Sequence, residues 1–229
     1  MTATRDGAAG ATAPPATAFA GLSTATLSDA LDRLHLPGSA RGISPLADGQ
    51  RMAGPAATVR YVPLGADGGT VGDYIDDLPA GTVVVLDNYG RTDCTVWGDI
   101  LTAVAHAKGI AGTAIHGVNR DVERALALGY PIYSSGRFMR TGKDRVAAVD
   151  MDCPVALGDV QVRPGDIVVG DDDGVVVVPA SRAQEVLEIG QEIAERESQI
   201  LESFGETGSL RAARQAHGYH LLQRGADRG

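Results

Sequence analysis

The apolar positions of this chain change rhythm along its length. Leu27, Ala30, Leu31 and Leu34 recur at i, i+3, i+4 and i+7, one helix face, with Ser23 or Thr24 as a cap and Pro37-Gly38 as a stop. A weakly alternating stretch, 56–62, predicts a strand, and Val71, Tyr74, Ile75 and Leu78 mark a short helix. After the turn at Pro79-Ala80-Gly81 the pattern becomes continuous. Thr82-Val83-Val84-Val85-Leu86 reads as a strand buried on both faces, ending in a polar loop, Asp87-Asn88-Tyr89-Gly90. Trp97, Ile100, Leu101 and Val104 predict a helix that Lys108-Gly109 closes. A second buried strand (110–115), a loop (117–120), a helix (121–128) closed by Gly129 and a third strand (131–133) follow. Strands alternating with helices predict an α/β fold with a partly parallel sheet.

Between 146 and 179 the rhythm shortens. Apolar stretches are separated by Cys153-Pro154, Leu157-Gly158-Asp159, Arg163-Pro164-Gly165-Asp166 and Asp171-Asp172-Asp173-Gly174, all turn chemistries, so this part is expected to be an antiparallel β-layer. A long helix over 181–203 carries Val186, Leu187, Ile193, Ala194, Ile200 and Leu201 on one line and a Glu-rich opposite face. A final helix over 210–222 holds Tyr219 and His220. The Ala/Thr/Pro/Gly-rich residues 1–20 are expected to be a flexible tail, 21–205 one domain, and 206–229 a helical extension.

Composition narrows the functions. The 229 residues are 44% apolar but only 4% aromatic, so the core must be aliphatic. A net charge of −9 and the lack of a basic cluster argue against a nucleic-acid partner. Cys94 and Cys153 form no CxxC and are expected to be free thiols in a reducing cytosol. No signal-peptide pattern and no window of about 18 apolar residues occurs, so a cytoplasmic chain without a membrane partner is expected.

The candidate chemistry lies at Asp99 and, after twenty intervening residues, Arg120-Asp121. Asp99 opens one predicted helix, and Arg120-Asp121 stands where the next strand meets the next helix. In an α/β sheet those two places can converge on one edge. Two carboxylates suit Mg²⁺, which keeps most of its waters, and a guanidinium matches a substrate carboxylate or keto oxygen. The helix start at Asp99 also offers free N–H groups to an anion. Each acidic residue has a plainer reading: Asp99 as a favourable first-turn charge, Asp121 as an N-cap. The Asp171–Gly174 run reads as a hairpin turn rather than a metal loop. Among the five histidines only His116 falls near the Arg120 loop, and none forms HxH or HExxH. There is no nucleotide-binding glycine motif.

These motifs resemble a known family. Thr24-Ala25-Thr26-Leu27-Ser28-Asp29-Ala30, Leu86-Asp87-Asn88, Trp97-Gly98-Asp99-Ile100-Leu101, Gly117-Val118-Asn119-Arg120-Asp121, Gly129-Tyr130-Pro131, Val162-Arg163-Pro164-Gly165-Asp166 and Asp171-Asp172-Asp173-Gly174-Val175 are similar to segments of the RraA-like family. That family holds the 4-hydroxy-4-methyl-2-oxoglutarate / 4-carboxy-4-hydroxy-2-oxoadipate aldolases and the regulators of ribonuclease activity A. Asp99 matches the aldolase-type pattern Asp-X20-Arg-Asp, where the regulators carry Gly. The resemblance implies an αββα sandwich assembled as a homotrimer or homohexamer with sites between subunits. It implies Mg²⁺ or Mn²⁺ held by Asp121 directly and by Asp99 through water. Arg120 would bind the keto-acid oxygens, and the Gly98-Ile100-Leu101 turn the substrate carboxylate through the N–H groups of Ile100 and Leu101. Asp29 and Glu197 would be outer carboxylates, Asp29 reaching across an interface. The implied activity is cleavage of a 4-hydroxy-2-oxo acid to pyruvate and a second keto acid, with oxaloacetate decarboxylation beside it. The alternatives are a decarboxylase or tautomerase of another β-keto acid on the same enolate site, and a non-catalytic protein-binding regulator. Two departures from the family pattern are Arg124, where relatives commonly have an acidic residue, and His116, where they have Asp.

Overall fold

The computed structural model of the chain describes residues 14–66 and 69–218. A 3-10 turn, Ala16–Phe19, leads to α1 (Thr24–Arg33), the short strands β1 (Ser39–Ala40) and β2 (Ser44–Pro45), and the long β3 (Met52–Pro63). A 3-10 helix, Asp73–Asp77, precedes β4 (Val83–Thr95), α2 (Asp99–Ala107), β5 (Gly112–Asn119), α3 (Val122–Leu128) and β6 (Ile132–Arg137). Next come β7 (Val146–Met151), β8 (Val155–Leu157), β9 (Val160–Val162), β10 (Ile167–Asp171) and β11 (Gly174–Val178). The chain continues into α4 (Ala183–Thr207) and α5 (Leu210–Ala216).

The strand order is β1-β11-β10-β3-β4-β5-β6-β2, with β7 also on β3 and β8–β9 a separate hairpin. β3 to β6 run parallel, and β10, β11 and β1 are antiparallel. β3 serves both parts. Its first half, Met52–Pro55, pairs with β10, and its second, Ala56–Arg60, with β4. The sheet folds over along this strand into two facing layers.

Alternation along the strands shows the layering directly. In β4, Val84 and Leu86 join a cluster with Trp97, Ala105, Ala125 and Tyr130 under α2 and α3, while Val83 and Val85 face the other way. There they meet Val168, Val175 and Val177 of β10 and β11 and the β8–β9 hairpin, in a core between the layers. The opposite faces of β10 and β11, Ile167, Val169, Val176 and Val178, pack against Leu27, Leu31, Val186 and Ile193 of α1 and α4. Three apolar interfaces thus separate four layers, and the αββα sandwich is what forms. Most of the packed side chains are aliphatic, but the bulkiest fully buried ones are Trp97, Tyr61, Tyr130, Tyr133 and Phe19.

Several boundaries differ from the sequence reading. Within the expected tail, Ala16–Phe19 form a 3-10 turn, and Phe19 is fully buried among Leu22, Leu27 and Ile193, a gain of about 1.5–3 kcal/mol. The polar residues after Leu86 do not leave the sheet. β4 carries on to Thr95, its pairing with β5 shifting register after Asp87 and again after Arg91. The loop expected at 117–120 is strand as far as Asn119. The residues around Tyr74 form a 3-10 rather than an α-helix. The Asp171–Gly174 turn closes the β10–β11 hairpin as expected, with Asp171 also accepting from Thr24 N–H (2.8 Å) and Thr24 Oγ1 (2.5 Å) to hold the start of α1. Both cysteines are buried and unpaired. Tyr219 and His220 lie outside the described residues.

Candidate active site

Trp97 sets the geometry. Its ring is buried, stacked on Tyr130 at 6.2 Å and 8°. Its Nε1–H donates to Thr102 Oγ1 (2.9 Å), which donates in turn to Gly98 O (2.8 Å). Trp97 O accepts the Arg120 N–H (3.2 Å). One buried residue, through its ring and its backbone carbonyl, therefore pins the start of α2 and the exit of β5 to each other. Asn119, fully buried, steadies the same exit by accepting from Ser134 Oγ (3.0 Å). Its Nδ2 is the one buried side-chain polar atom without a partner among the described residues. Sequence reading passed over Asn119, because an Asn before a charged pair carries no signal of burial.

The three predicted residues converge. Asp121 Oδ2 accepts the Asp99 N–H (3.1 Å) and lies 3.2 Å from Arg120 Nε. Asp121 occupies the N-cap position of α3, but its carboxylate makes no capping bond. Its backbone is left-handed (φ 57°, ψ 42°), a costly conformation that Asp tolerates better than most residues and that turns the carboxylate toward α2. The plain N-cap reading of Asp121 is thereby set aside. Gly98 permits the approach: a Cβ there would stand 2.7 Å from Asp121 Oδ2 and 3.2 Å from Arg120 Nε. Asp121 Oδ1 has no hydrogen-bond partner among the described residues. Both side chains of the ion pair keep 36% of their surface exposed.

The first-turn N–H groups of α2 are divided. Asp99 N–H is taken by Asp121, and Ile100 N–H by Asp99 Oδ1 (2.8 Å). Leu101 N–H has no acceptor among the described residues. Of the two N–H groups expected to face an anion, one is open, and the other opens only when the Asp99 side chain turns away. A cleft of about 410 Å³ runs over this turn, lined by Gly98, Asp99, Ile100, Leu101 and Arg120 and, beyond them, by Val104, residues 70–73, Ile75 and Asp76. Asp121 stands at its rim, against Gly98 and Arg120, rather than in its lining.

Among the described residues no group of three or more His, Cys, Asp or Glu side chains could hold a metal ion alone. The donor set present is carboxylate oxygen only, with Asp121 Oδ1 open beside Asp99. That chemistry fits a hard cation such as Mg²⁺ or Mn²⁺, which fills its remaining positions with water and substrate oxygens.

The other expected residues lie elsewhere within the chain. Asp29 on α1 and Glu197 on α4 are neighbours: burial, and then the Asp29 charge, raise the Glu197 pKa above the ordinary carboxylate value. α1 packs on α4, β10 and β11, and neither acidic residue lines the cleft. His116 is not in the cleft either. Its Nδ1 is hydrogen-bonded to Asp87 Oδ1 (3.2 Å).

Comparison with known proteins settles the kinship. Residues 24–177 match the family model RraA-like, described as Aldolase/RraA. This chain belongs to the RraA-like family. A curated relative, Protein DlpA of Legionella pneumophila, is 39% identical over 86% of the chain, which spans only 32% of that protein. A second relative, the "Putative 4-hydroxy-4-methyl-2-oxoglutarate aldolase" of Halalkalibacterium halodurans, is 35% identical over 75% of this chain and 80% of its own length. Among solved structures, an uncharacterized protein from Pseudomonas syringae pv. tomato superposes with a TM-score of 0.81 at 40% identity, covering 87% of this chain and 96% of the other. Streptomyces coelicolor RraAS2, an unusual member of the RNase ES inhibitor RraA protein family, gives 0.71 at 32% identity, covering 84% and 95%. The RraA-like fold thus carries an aldolase name in one relative and an inhibitor name in another. No helix among the described residues is long and apolar enough to cross a membrane.

Proposed function

We propose that this RraA-like protein is a divalent-metal-dependent carbon–carbon lyase that cleaves a 4-hydroxy-2-oxo acid to pyruvate and a second carbonyl compound. We read oxaloacetate decarboxylation, which passes through the same enolate, as a side reaction. The observation that carries this reading is the convergence of Asp99, Arg120 and Asp121 at the open start of α2. A docking surface needs no left-handed aspartate with an open carboxylate oxygen, so the geometry favours the enzyme over the regulator.

Asp121 Oδ1 would hold Mg²⁺ or Mn²⁺ directly, and Asp99 would hold it through water. When bound, the cation supplies Lewis-acid stabilisation of the 2-oxo oxygen as negative charge gathers there. The Leu101 N–H, joined by that of Ile100 once Asp99 turns toward its water, receives the substrate carboxylate. Arg120, held by Asp121 through Nε, presents its remaining N–H groups to the developing enolate oxygen, where a preorganised donor does most for the barrier. Asp99 draws the proton from the C4 hydroxyl through the water it holds. The C3–C4 bond then breaks, its electrons forming the pyruvate enolate while C4 becomes a carbonyl, and the proton taken from the C4 hydroxyl is returned to C3 by way of Asp99. Asp29 and Glu197, remote from the cleft in their own chain, would approach the site of a neighbouring subunit in a homotrimer or homohexamer.

The test is a coupled assay for pyruvate with Mg²⁺ or Mn²⁺, using 4-hydroxy-4-methyl-2-oxoglutarate, 4-carboxy-4-hydroxy-2-oxoadipate and oxaloacetate in parallel. Asp121→Ala should lower turnover by at least about 10²–10³-fold, the scale of losing a transition-state charge contact, while the fold persists by circular dichroism. Turnover that survives both chelation and this substitution would overturn the reading.

A further inference from the structure

The cleft is electrically lopsided along α2. Its near end holds the Arg120 guanidinium and the N-terminal N–H groups of the helix, and there the Asp99 and Asp121 carboxylates would be offset by the divalent cation that the lyase reading assigns to them. Its far end is built by residues 70–76. Gly72 lies against Leu101, so closely that a Cβ there would be 2.9 Å from Leu101 Cδ2. Lys108, at the C-cap of α2, donates to the backbone oxygen of Asp76 (2.8 Å). Asp76 therefore stands within reach of the Lys108 side chain, on the side of the cleft toward the C-terminal end of α2. The segment is fixed rather than loose: Tyr61 Oη–H donates to Val71 O (2.6 Å) and Ala148 N–H to Thr70 O (2.9 Å).

Two carboxylates on this wall, Asp73 and Asp76, line the cleft, and neither has a partner among the described residues. Lys108 reaches only the backbone of Asp76, and it is not in the lining. The negative C-terminal end of the α2 dipole adds to the same sign. A substrate whose 2-oxo carboxylate sits at Arg120 thus points its tail toward two unneutralised carboxylates, with Thr70 beside them and Val71, Ile75 and Val104 covering the carbons between. A second carboxylate on that tail would meet like charge, a repulsive device of the kind that sets specificity. Hydroxyl groups would instead find acceptors.

We infer that the tail of the substrate is uncharged and hydroxylated, and that Asp73 and Asp76 select it against dicarboxylates; this rests on the lyase reading above. The reaction is the same retro-aldol cleavage, pyruvate leaving from C1–C3 and a neutral hydroxyaldehyde from the rest.

The experiment compares pyruvate release, with Mg²⁺ present, from 4,5,6-trihydroxy-2-oxohexanoate and from 4-hydroxy-2-oxoglutarate. We expect kcat/KM about tenfold or more in favour of the first, and a ratio near one in the Asp73→Asn, Asp76→Asn double variant. A preference for the dicarboxylate, or a ratio the double substitution leaves alone, overturns the inference. A second arm needs no turnover: calorimetric binding of 2-oxopentanoate and 2-oxoglutarate, which differ only in a terminal methyl or carboxylate. Tighter binding of 2-oxopentanoate without pyruvate from either substrate supports the selection and overturns the lyase reading. Equal or tighter binding of 2-oxoglutarate overturns the selection whatever the turnover, and binding of neither overturns both.

Discussion

Two pairs of a carboxylate with a nitrogen-bearing side chain stand on β4 and β5 and at the β5 exit, and they are built to opposite ends. In the first, Asp87 of β4 faces His116 of β5, and each carboxylate oxygen is engaged. Oδ1 accepts from Tyr89 N–H (2.9 Å) and is bonded to His116, and Oδ2 accepts from Ala156 N–H (3.0 Å). Asp87 is 6% exposed. Burial alone would raise its pKa, but these hydrogen bonds outweigh burial and lower it. In the second, Asp121 shares one oxygen between Arg120 and Asp99 and leaves the other open at a cleft. A carboxylate whose oxygens are all engaged by its own fold stabilises that fold. One left open on a strained backbone is available to a ligand.

The contrast is sharpest in activity. Arg120→Ala should raise the barrier by about 2.7–4 kcal/mol, as the loss of an oxyanion donor does, and leave the melting temperature nearly unchanged. Steady-state kinetics beside thermal melts read both, and an unaltered kcat/KM would remove Arg120 from the chemistry. Asp87→Asn should do the reverse. It should cost on the order of 1–3 kcal/mol of stability at neutral pH, because a buried acceptor site is degraded, with little change in kcat. The sign with pH follows from the lowered pKa. The stabilisation from Asp87 is present above the unfolded value of about 3.9 and is lost as pH falls through the lower folded one. Denaturant melts at pH 7 and pH 3 should therefore show the difference between wild type and variant shrinking in acid.

The smallest effect is expected at Glu197→Gln. The raised Glu197 pKa means its charge is unwelcome in the fold, so the substitution should add ~0.5 kcal/mol or less, the exposed side chain being screened. That gain should appear above the raised folded pKa and vanish below about 4.3. A fall in turnover alongside it would place Glu197 at a neighbouring copy's site, which a residue of purely local effect would not produce.

How much of this was legible in the sequence differs from segment to segment. The buried strands were readable because β4, β5, β10 and β11 keep aliphatic residues on both faces, but their stacking into four layers was implied only by the family resemblance. Asp99, Arg120 and Asp121 were readable because charges that follow apolar strands fall at sheet edges. The run Asn88–Asp93 was not: its polar composition is that of a loop, and only register shifts against β5 keep it in the sheet. Phe19 was missed because one aromatic in an Ala/Thr-rich stretch has no periodicity to announce it. The sharing-out of the α2 N–H groups was equally out of reach, since it depends on side-chain rotamers at Asp99 and Asp121.

β3 ties these regions to one fate. A strand woven into both halves of a folded sheet leaves no seam along which the halves can part. Peeling away β10 tears at the same backbone that β4 leans on, and the end of β4 supplies Thr95 to the cleft, followed at once by Val96. The floor of the cleft thus inherits its rigidity from the whole molecule, including helices on the far side that contribute no atom to it.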